Sequence, residues 1–264
     1  MELIGERING MFKDIKEAIL NKDAAVIQYW AKRQEEKGAH WLDINTGPTV
    51  SPEEQPAVMT WLVQTAQAAS TLPCCLDSTS PAAIEAGLKV HRGQALINST
   101  SAEQSKMDIY FPMAVQYGAR LIGLAMNEAG VPKDAAARAA LAMELVVNAD
   151  MHGLAMEDLY IDPLVLPANV AQEHGPEVIE AIRQIKMLAS PSPKTVIGLS
   201  NVSQRCNERR LLNRTYMVMC ITAGLDSAIV DMEDDLLVDA AAATEILLNR
   251  SIYCDAFLKT FRQR

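Results

Sequence analysis

Carboxylates and amides recur at one kind of position in this sequence, directly after short apolar runs. Seven of these runs end at Glu6 to Asn9, Asp43 to Asn45, Asp77, Asn98, Asp162, Ser200 with Asn201, and Asp231. An aspartate or asparagine at such a position often only caps the helix that follows. Seven apolar runs that each end at a polar side chain instead indicate a ring of polar groups around one small ligand.

The residue types at these positions limit the chemistry. None of them is a histidine or a cysteine, which argues against nucleophilic acyl transfer. Several carboxylates could together bind Mg²⁺. The same mixture also suits a flat heterocycle, because an ionised aspartate accepts two hydrogen bonds from an amidine-like edge and an asparagine both donates and accepts. Magnesium and a pterin-like ring therefore both remain open from the pattern alone.

The cysteines and histidines show no arrangement typical of a metal site. The five cysteines include no CxxC pair, and the four histidines include no HxH or HxxxH pair. Cys74 and Cys75 lie in the apolar run LPCCL, where cysteine behaves as a small buried hydrophobic residue. We therefore expect neither a zinc site nor a disulfide framework.

Charge and hydropathy exclude two further classes of protein. The net charge of −9 argues against a nucleic-acid binder, which needs a basic face. An anionic substrate would have to find a local basic patch. No apolar run approaches the roughly 20 residues that cross a bilayer, and the first residues show no signal-peptide pattern. The expectation is a cytoplasmic protein without a membrane segment.

The elements that must position the polar residues alternate along the chain. Each short apolar run is followed by a longer segment with helical periodicity. The predicted strands cover residues 3–8, 41–45, 74–77, 95–98, 120–126, 159–162, 195–200 and 227–231.

Several segments between these runs carry helix signals. Residues 51–54 (SPEE) predict a helix start, with serine as the cap and proline in the first turn. Residues 135–151 are rich in alanine and have high helix propensity. Gly38, Gly118 and Gly224 are expected at helix ends.

Eight strand–helix units predict an α/β fold with a parallel sheet and right-handed crossovers. A (β/α)8 TIM barrel needs about 250 residues, and the chain has 264. We therefore predict one barrel domain over residues 1–264. An open doubly wound sheet is the alternative, although neither GxGxxG nor GxxxxGK[ST] is present.

Five short motifs resemble the pterin-binding barrels, the dihydropteroate synthase-like superfamily that includes the folate region of cobalamin-dependent methionine synthases. The motifs are IGERIN at 4–9, GAHWLDIN at 38–45, LINST at 96–100, YIDP at 160–163 and GLSNVS at 198–203. Each is short, but five in order at strand ends form a specific pattern that spans nearly the whole chain.

Within this superfamily the chain is most similar to the methyltetrahydrofolate:corrinoid/iron-sulfur protein methyltransferases, which are free-standing barrels of this size. The resemblance implies transfer of the N5-methyl group of 5-methyltetrahydrofolate to Co(I) of a corrinoid. The corrinoid is held by a partner, the corrinoid/iron-sulfur protein. The resemblance also implies a homodimer, no metal and no tightly bound cofactor in this subunit.

The same resemblance assigns roles to individual residues. It implies that Asp77, Asn98 and Asp162 hold the amidine and amide edge of the pterin. It makes Asn201 the catalytic residue, which contacts N5 and stabilises the charge that develops there while solvent supplies the proton.

Three further residues are expected at the folate. The resemblance implies that Gly198 lets the pterin ring approach the seventh strand closely. Gln204 and Arg209 would lie near the ligand, in the loop after that strand. This loop contains several arginines, so the register of these two residues is open.

Two alternatives compete with methyl transfer. Dihydropteroate synthases carry a Ser-Arg-Lys type element after the seventh strand and an arginine in the loop after the second. Here the corresponding stretches read SNV at 200–202 and NTGPT at 45–49. The pyrophosphate that leaves in the dihydropteroate synthase reaction would therefore lack the cations that stabilise it. The second alternative is a folate-binding subunit without catalysis. Asn201 argues against it, since holding the pterin edge needs no amide at N5.

Overall fold

Eight parallel strands follow one another around a closed barrel in the computed structural model, which describes residues 1–262. Strands adjacent in the chain are adjacent in the barrel, and the eighth pairs with the first. The predicted α/β barrel is therefore confirmed, and the open doubly wound sheet is excluded.

The strands agree with the sequence pattern to within a few residues. Those predicted at 41–45, 74–77 and 159–162 have the expected bounds. The eight are β1 (Glu2–Asn9), β2 (Trp41–Asn45), β3 (Cys74–Asp77), β4 (Leu96–Ser101), β5 (Arg120–Leu124), β6 (Leu159–Asp162), β7 (Lys194–Gly198) and β8 (Ser227–Val230).

Helices surround the barrel and connect its strands. They are α1 (Lys13–Asn21), α2 (Ala24–Glu36), α3 (Gln55–Gln67), α4 (Pro81–Val90), α5 (Gln104–Tyr117), α6 (Ala135–His152), α7 (Ala168–Ala171), α8 (His174–Ile185), α9 (Arg209–Ala223), α10 (Asp235–Leu247) and α11 (Phe257–Arg262). The alanine-rich helix is present as α6, and Gly118 and Gly224 end α5 and α9 in the left-handed conformation. Gly38 follows Lys37, which is the C-cap residue of α2.

Several predicted boundaries are shifted by a few residues, and two of these shifts have local reasons. The helix expected to start at 51–54 begins at Gln55, because the Ser51 hydroxyl donates to Glu54 Oε2 at 2.9 Å and the segment forms a separate turn. The strand expected at 195–200 ends at Gly198. The chain then enters a 3₁₀ turn, Leu199–Ser203, whose Leu199 and Val202 are buried. Asn201 thus sits on a turn beyond the strand.

Two of the strands are irregular near the carboxyl end of the barrel. The pairing of β1 with β2 shifts between Gly5 and Ile8, and that of β4 with β5 shifts between Asn98 and Thr100. Such bulges change the direction in which neighbouring side chains point. They occur beside Glu6 and Asn98, both of which line the cavity described below.

The core has an inner and an outer layer. Cys75 packs inside the barrel, whereas Cys74 packs between strands and helices, as alternation along a strand requires. Both are fully buried, which confirms the prediction from the apolar run. The inner layer consists of Ile4, Trp41, Cys75, Leu96, Ile122, Tyr160 and Val196.

A polar network occupies the amino-terminal end of the barrel. The Tyr160 hydroxyl donates to Glu2 at 2.6 Å and accepts from Arg120 at 2.7 Å and from Lys194 at 3.0 Å. The side chains that could bind a ligand lie at the opposite end, which is where barrel enzymes carry their active sites. Within residues 1–262, no helix is both long enough and apolar enough to cross a membrane.

Candidate functional site

A cavity of about 830 Å³ opens at the carboxyl ends of the strands. Pockets of 300–1,000 Å³ are typical of sites for small organic ligands. All seven residues proposed from the sequence line this one cavity, although they come from five separate segments of the chain. They are Asp77, Asn98, Asp162, Gly198, Asn201, Gln204 and Arg209.

One part of the wall is built from β2, β3 and β4. The Asn45 amide donates to Asp77 Oδ2 at 2.7 Å, and the Asn98 amide donates to Asp43 Oδ1 at 3.3 Å. Asp43 is only 2% exposed and was not among the proposed ligand residues. It lies two residues after Trp41, which faces the barrel interior, and residues two apart on a strand share a face, so strand periodicity could have placed Asp43 there.

Burial shapes the electrostatics of these two carboxyl groups. It raises the pKa of Asp43 well above the usual range, and the nearby charge of Asp77 raises it further. Burial also raises the pKa of Asp77, and the hydrogen bond from Asn45 opposes this rise. A carboxyl group that stays protonated can donate a hydrogen bond as well as accept one. This part of the wall can therefore form hydrogen bonds with a ligand edge on which donor and acceptor groups alternate.

Asp162 forms a second part of the wall, at the end of β6. It is 8% exposed, and the backbone N–H of Leu164 donates to its Oδ1 at 2.7 Å. Burial raises the pKa of Asp162 to about 7, although backbone hydrogen bonds from Leu164 and Gly198 oppose the rise. The carboxyl group can therefore change its charge near neutral pH.

Gly198 and Asn201 are in close contact across the turn after β7. A Cβ atom built on Gly198 would lie 2.9 Å from Asn201 Nδ2, so glycine leaves space for this amide. The Asn201 side chain is exposed to the cavity. Within residues 1–262 it has no hydrogen-bond partner, so it is available to a ligand.

Arg209 braces the turn that carries Asn201. Its Nε donates to Ser203 Oγ at 3.2 Å, and its terminal nitrogen donates to the Ser200 carbonyl at 3.3 Å. The structure therefore gives Arg209 contacts that orient the turn, in addition to its place on the cavity wall.

Glu6 lies at the junction of β1 with the same turn. The Ser200 hydroxyl donates to Glu6 Oε1 at 2.9 Å. Burial raises the pKa of Glu6, and the nearby charge of Asp231 adds to the rise. Both carboxyl groups line the cavity and both end apolar runs, yet neither was assigned a role from the sequence. The strand-end pattern that identified Asp77 applies equally to them.

No group of three or more histidine, cysteine, aspartate and glutamate side chains is placed to hold a metal ion in the described part of the chain. The cavity instead presents separate acceptors and amides along its wall. Asp77, Asn98 and Asp162 can satisfy the edge of a flat polar ring. Asn201 is free to contact another atom of that ring.

Comparison with known proteins identifies relatives along the whole chain. Residues 11–231 match the family described as pterin binding enzyme. A methylcorrinoid:tetrahydrofolate methyltransferase of Eubacterium limosum is 31% identical over 269 residues, which covers 100% of this chain and 97% of the relative. The methionine synthase of Mycobacterium tuberculosis is 33% identical over 86% of this chain, which is only 20% of that relative's length.

Solved structures share the fold at low identity. A dihydropteroate synthase of Xanthomonas albilineans with 4-aminobenzoic acid superposes with a TM-score of 0.72 and 18% identity, over 96% of this chain and 94% of that one. A Yersinia pestis dihydropteroate synthase has a TM-score of 0.71 and 16% identity, over 95% of this chain and 94% of its own. At this identity the likeness concerns the barrel alone.

Proposed function

The chain belongs to the pterin-binding enzyme family and is a methyltransferase, and on that premise we propose that it moves a methyl group between N5 of a tetrahydrofolate and the cobalt of a corrinoid held by another protein. One observation carries the proposal. Asp77, Asn98 and Asp162 share a cavity with Asn201, whose amide has no partner within residues 1–262.

The pterin would lie against the carboxylates and amides of the wall. Asp162 and Asp77 accept hydrogen bonds from the amino and ring N–H groups of the pterin, and Asn98 both donates and accepts. These contacts form equally with the substrate and with the transition state. They bind and orient the folate without lowering the barrier themselves.

Asn201 acts on the reacting nitrogen. In methylfolate N5 is a tertiary amine and a poor leaving group, so it must gain a proton as its bond to the methyl carbon breaks. An asparagine amide does not donate that proton near neutral pH, and solvent supplies it. The amide oxygen of Asn201 accepts a hydrogen bond from N5–H and stabilises the positive charge on that nitrogen.

The methyl group passes to Co(I) of the corrinoid, which is the second substrate and supplies the nucleophile. The Eubacterium limosum relative is named for transfer in the opposite direction, from a methylcorrinoid to tetrahydrofolate. The same contacts at N5 serve both directions, since the transition state is shared. We propose transfer from methyltetrahydrofolate as the reaction to test first.

The partner would approach the open end of the barrel. Met11, in the loop after β1, is 73% exposed, and Leu211, in the first turn of α9, is 61% exposed. Met11 lines the cavity and Leu211 follows Arg210, which also lines it, so both side chains are available at the end of the barrel where we propose that the partner binds. A corrinoid/iron-sulfur protein as that partner, a homodimeric assembly and a cytoplasmic location stay predictions.

A direct assay tests the function. The purified protein is mixed with 5-methyltetrahydrofolate and a Co(I) corrinoid, either free or bound to protein, and the corrinoid absorption is followed in both directions. We expect transfer that depends on the protein. Tight folate binding without transfer in either direction would contradict the proposal and indicate a subunit that only binds folate.

Dihydropteroate synthesis is the reaction for which the structural neighbours are named. It requires cations that neutralise a pyrophosphate leaving group. The turn after β7 reads SNV at 200–202, and residues 45–49 contain no arginine. The dihydropteroate synthases of known structure share the barrel with this chain at 16–19% identity. At that identity the likeness concerns the fold alone, and no observation on this chain favours dihydropteroate synthesis.

Folate binding is expected to be independent of metal ions. The cavity provides separate hydrogen-bonding groups, and no metal-binding cluster occurs among residues 1–262. Calorimetric titration with methyltetrahydrofolate should therefore yield the same affinity with and without a strong chelator. Loss of binding after chelation, restored by added Mg²⁺, would contradict this expectation.

Folate affinity is expected to depend on pH through Asp162. Because burial raises the pKa of Asp162 to about 7, the free carboxyl group is mostly protonated below that pH. The pterin donors prefer the ionised form, so binding below pH 7 must first release a proton. Affinity should then fall by up to about tenfold per pH unit as the pH drops.

The measurement is calorimetry between pH 5.5 and 8.5 in buffers of different ionisation enthalpy, which also counts protons released. Asp162→Asn should bind more weakly and lose this part of the pH dependence. An unchanged pH profile in the variant would show that another buried group, such as Asp43 or Asp77, controls it.

A further inference from the structure

The first two turns of α9 form a part of the cavity wall that the pterin contacts do not use. Arg209, Arg210 and Asn213 all line the cavity. Residues three and four apart lie on the same face of a helix. Asn213 therefore shares a face with both arginines, and one side of α9 presents two guanidinium groups and an amide to the ligand.

Arg210 is a cation of this wall that has no partner among residues 1–262. Arg7, which also lines the cavity, is bound to Asp14 at 2.7 Å, and Arg209 donates to the turn after β7. Arg210 is exposed and makes no ion pair or hydrogen bond within residues 1–262. In a chain of net charge −9, an unpaired guanidinium at the cavity mouth favours an anionic ligand.

Asn213 adds an unsatisfied acceptor beside it. Its Oδ1 is buried and has no hydrogen-bond partner within the described residues. Buried polar atoms are nearly always paired, so an unpaired one at a cavity wall needs an explanation. A ligand that donates an N–H group at this point would satisfy it.

We propose that this wall binds the p-aminobenzoyl-glutamate arm of the folate, with Arg210 pairing with a glutamate carboxylate and Asn213 accepting from the amide N–H of the glutamyl link. The inference rests on the proposed function, since it concerns the substrate of the same cavity. The arm carries these two groups next to each other, an amide N–H followed by carboxylates, which is the complement of an amide oxygen beside a guanidinium.

The test compares two ligands that differ only in the arm. One is 5-methyltetrahydrofolate, and the other is 5,6-dimethyltetrahydropterin, which keeps the pterin and its N5-methyl group but lacks the whole p-aminobenzoyl-glutamate arm. Arg210→Gln should weaken binding of the first by about three- to tenfold, as expected for a partly exposed charge-assisted pair. It should change binding of the second by less than twofold.

Arg205→Gln is the matched control. Arg205 is an exposed arginine of the same loop that does not line the cavity. Its replacement removes the same charge, so any effect of net charge alone appears in both variants. We expect both ligands to bind Arg205→Gln as they bind the unmodified protein.

Asn213→Ala separates ligand contact from a structural role. The Oδ1 atom has no partner among residues 1–262, so the variant should unfold at an unchanged or higher temperature. It should still bind 5-methyltetrahydrofolate about three- to tenfold more weakly, as for one lost hydrogen bond. Binding of 5,6-dimethyltetrahydropterin should stay the same.

Several results would overturn the inference. Arg210→Gln could weaken both ligands equally, which would place its effect on the pterin. It could instead leave folate affinity unchanged and slow transfer only to a protein-bound corrinoid, which would assign Arg210 to the partner contact. If the unmodified protein binds neither ligand, the proposed function itself fails, and the inference fails with it.

Discussion

Replacing Asn201 with alanine is expected to slow methyl transfer by about 10², while folate affinity changes by less than tenfold. Removal of one preorganised hydrogen-bonding group from a developing charge costs about 2.7–4 kcal/mol in acyl-transfer enzymes. We expect the low end of that range, because water can partly replace the amide at an exposed site. Single-turnover transfer to a Co(I) corrinoid measures the rate, and calorimetry measures the affinity.

Two further variants make this result specific. Asn207→Ala removes an exposed asparagine of the same loop that does not line the cavity, and it should leave the rate unchanged. Gly198→Ala introduces a Cβ atom 2.9 Å from Asn201 Nδ2. Because the amide lies at the end of a flexible side chain and can move, this variant should lose less rate than Asn201→Ala.

Equal losses of rate and affinity in Asn201→Ala would make Asn201 a binding residue only. No change in either would mean that the turn after β7 carries no group at N5. The segment from Ser203 to Arg210 would then have to supply the contact.

Replacing Asp162 with alanine is expected to weaken folate binding by about ten- to a hundredfold. A hydrogen bond to a charged group contributes about 1.5–3 kcal/mol, and the buried carboxylate faces the donor edge of the pterin. The contact is the same in the ground state and in the transition state, so the rate at saturating folate should change much less. Titration calorimetry and single-turnover kinetics separate the two effects.

Asp150→Ala provides the matched control for charge. Asp150 is exposed on the outer face of α6 and does not line the cavity, so its replacement removes a carboxyl group of the same type away from the ligand. The thermal unfolding temperature of Asp162→Ala must also be measured, since the variant leaves the N–H of Leu164 without its acceptor. A folded variant with unchanged affinity would show that Asp162 serves only the turn that follows β6.

The sequence determined the barrel and most of its polar rim. Strand and helix periodicities are local properties, so eight alternating units were visible before any contact was known. Parallel strands bring their carboxyl ends to one side, so Asp77, Asn98 and Asp162 were expected together, and they line one cavity. The pattern also contained Glu6, Asp43 and Asp231, but it could not rank them, because strand-end position alone does not measure distance to a ligand.

Only the tertiary structure decided how these groups are arranged and charged. The bond between Asn98 and Asp43 joins residues 55 positions apart, and that from Ser200 to Glu6 joins residues 194 apart. Such contacts depend on barrel closure and on bulges in β1 and β4. The pKa of Asp162 near 7 follows from burial, which is a property of the packed chain. The unpaired Oδ1 of Asn213 is likewise visible only once every neighbouring donor has a position.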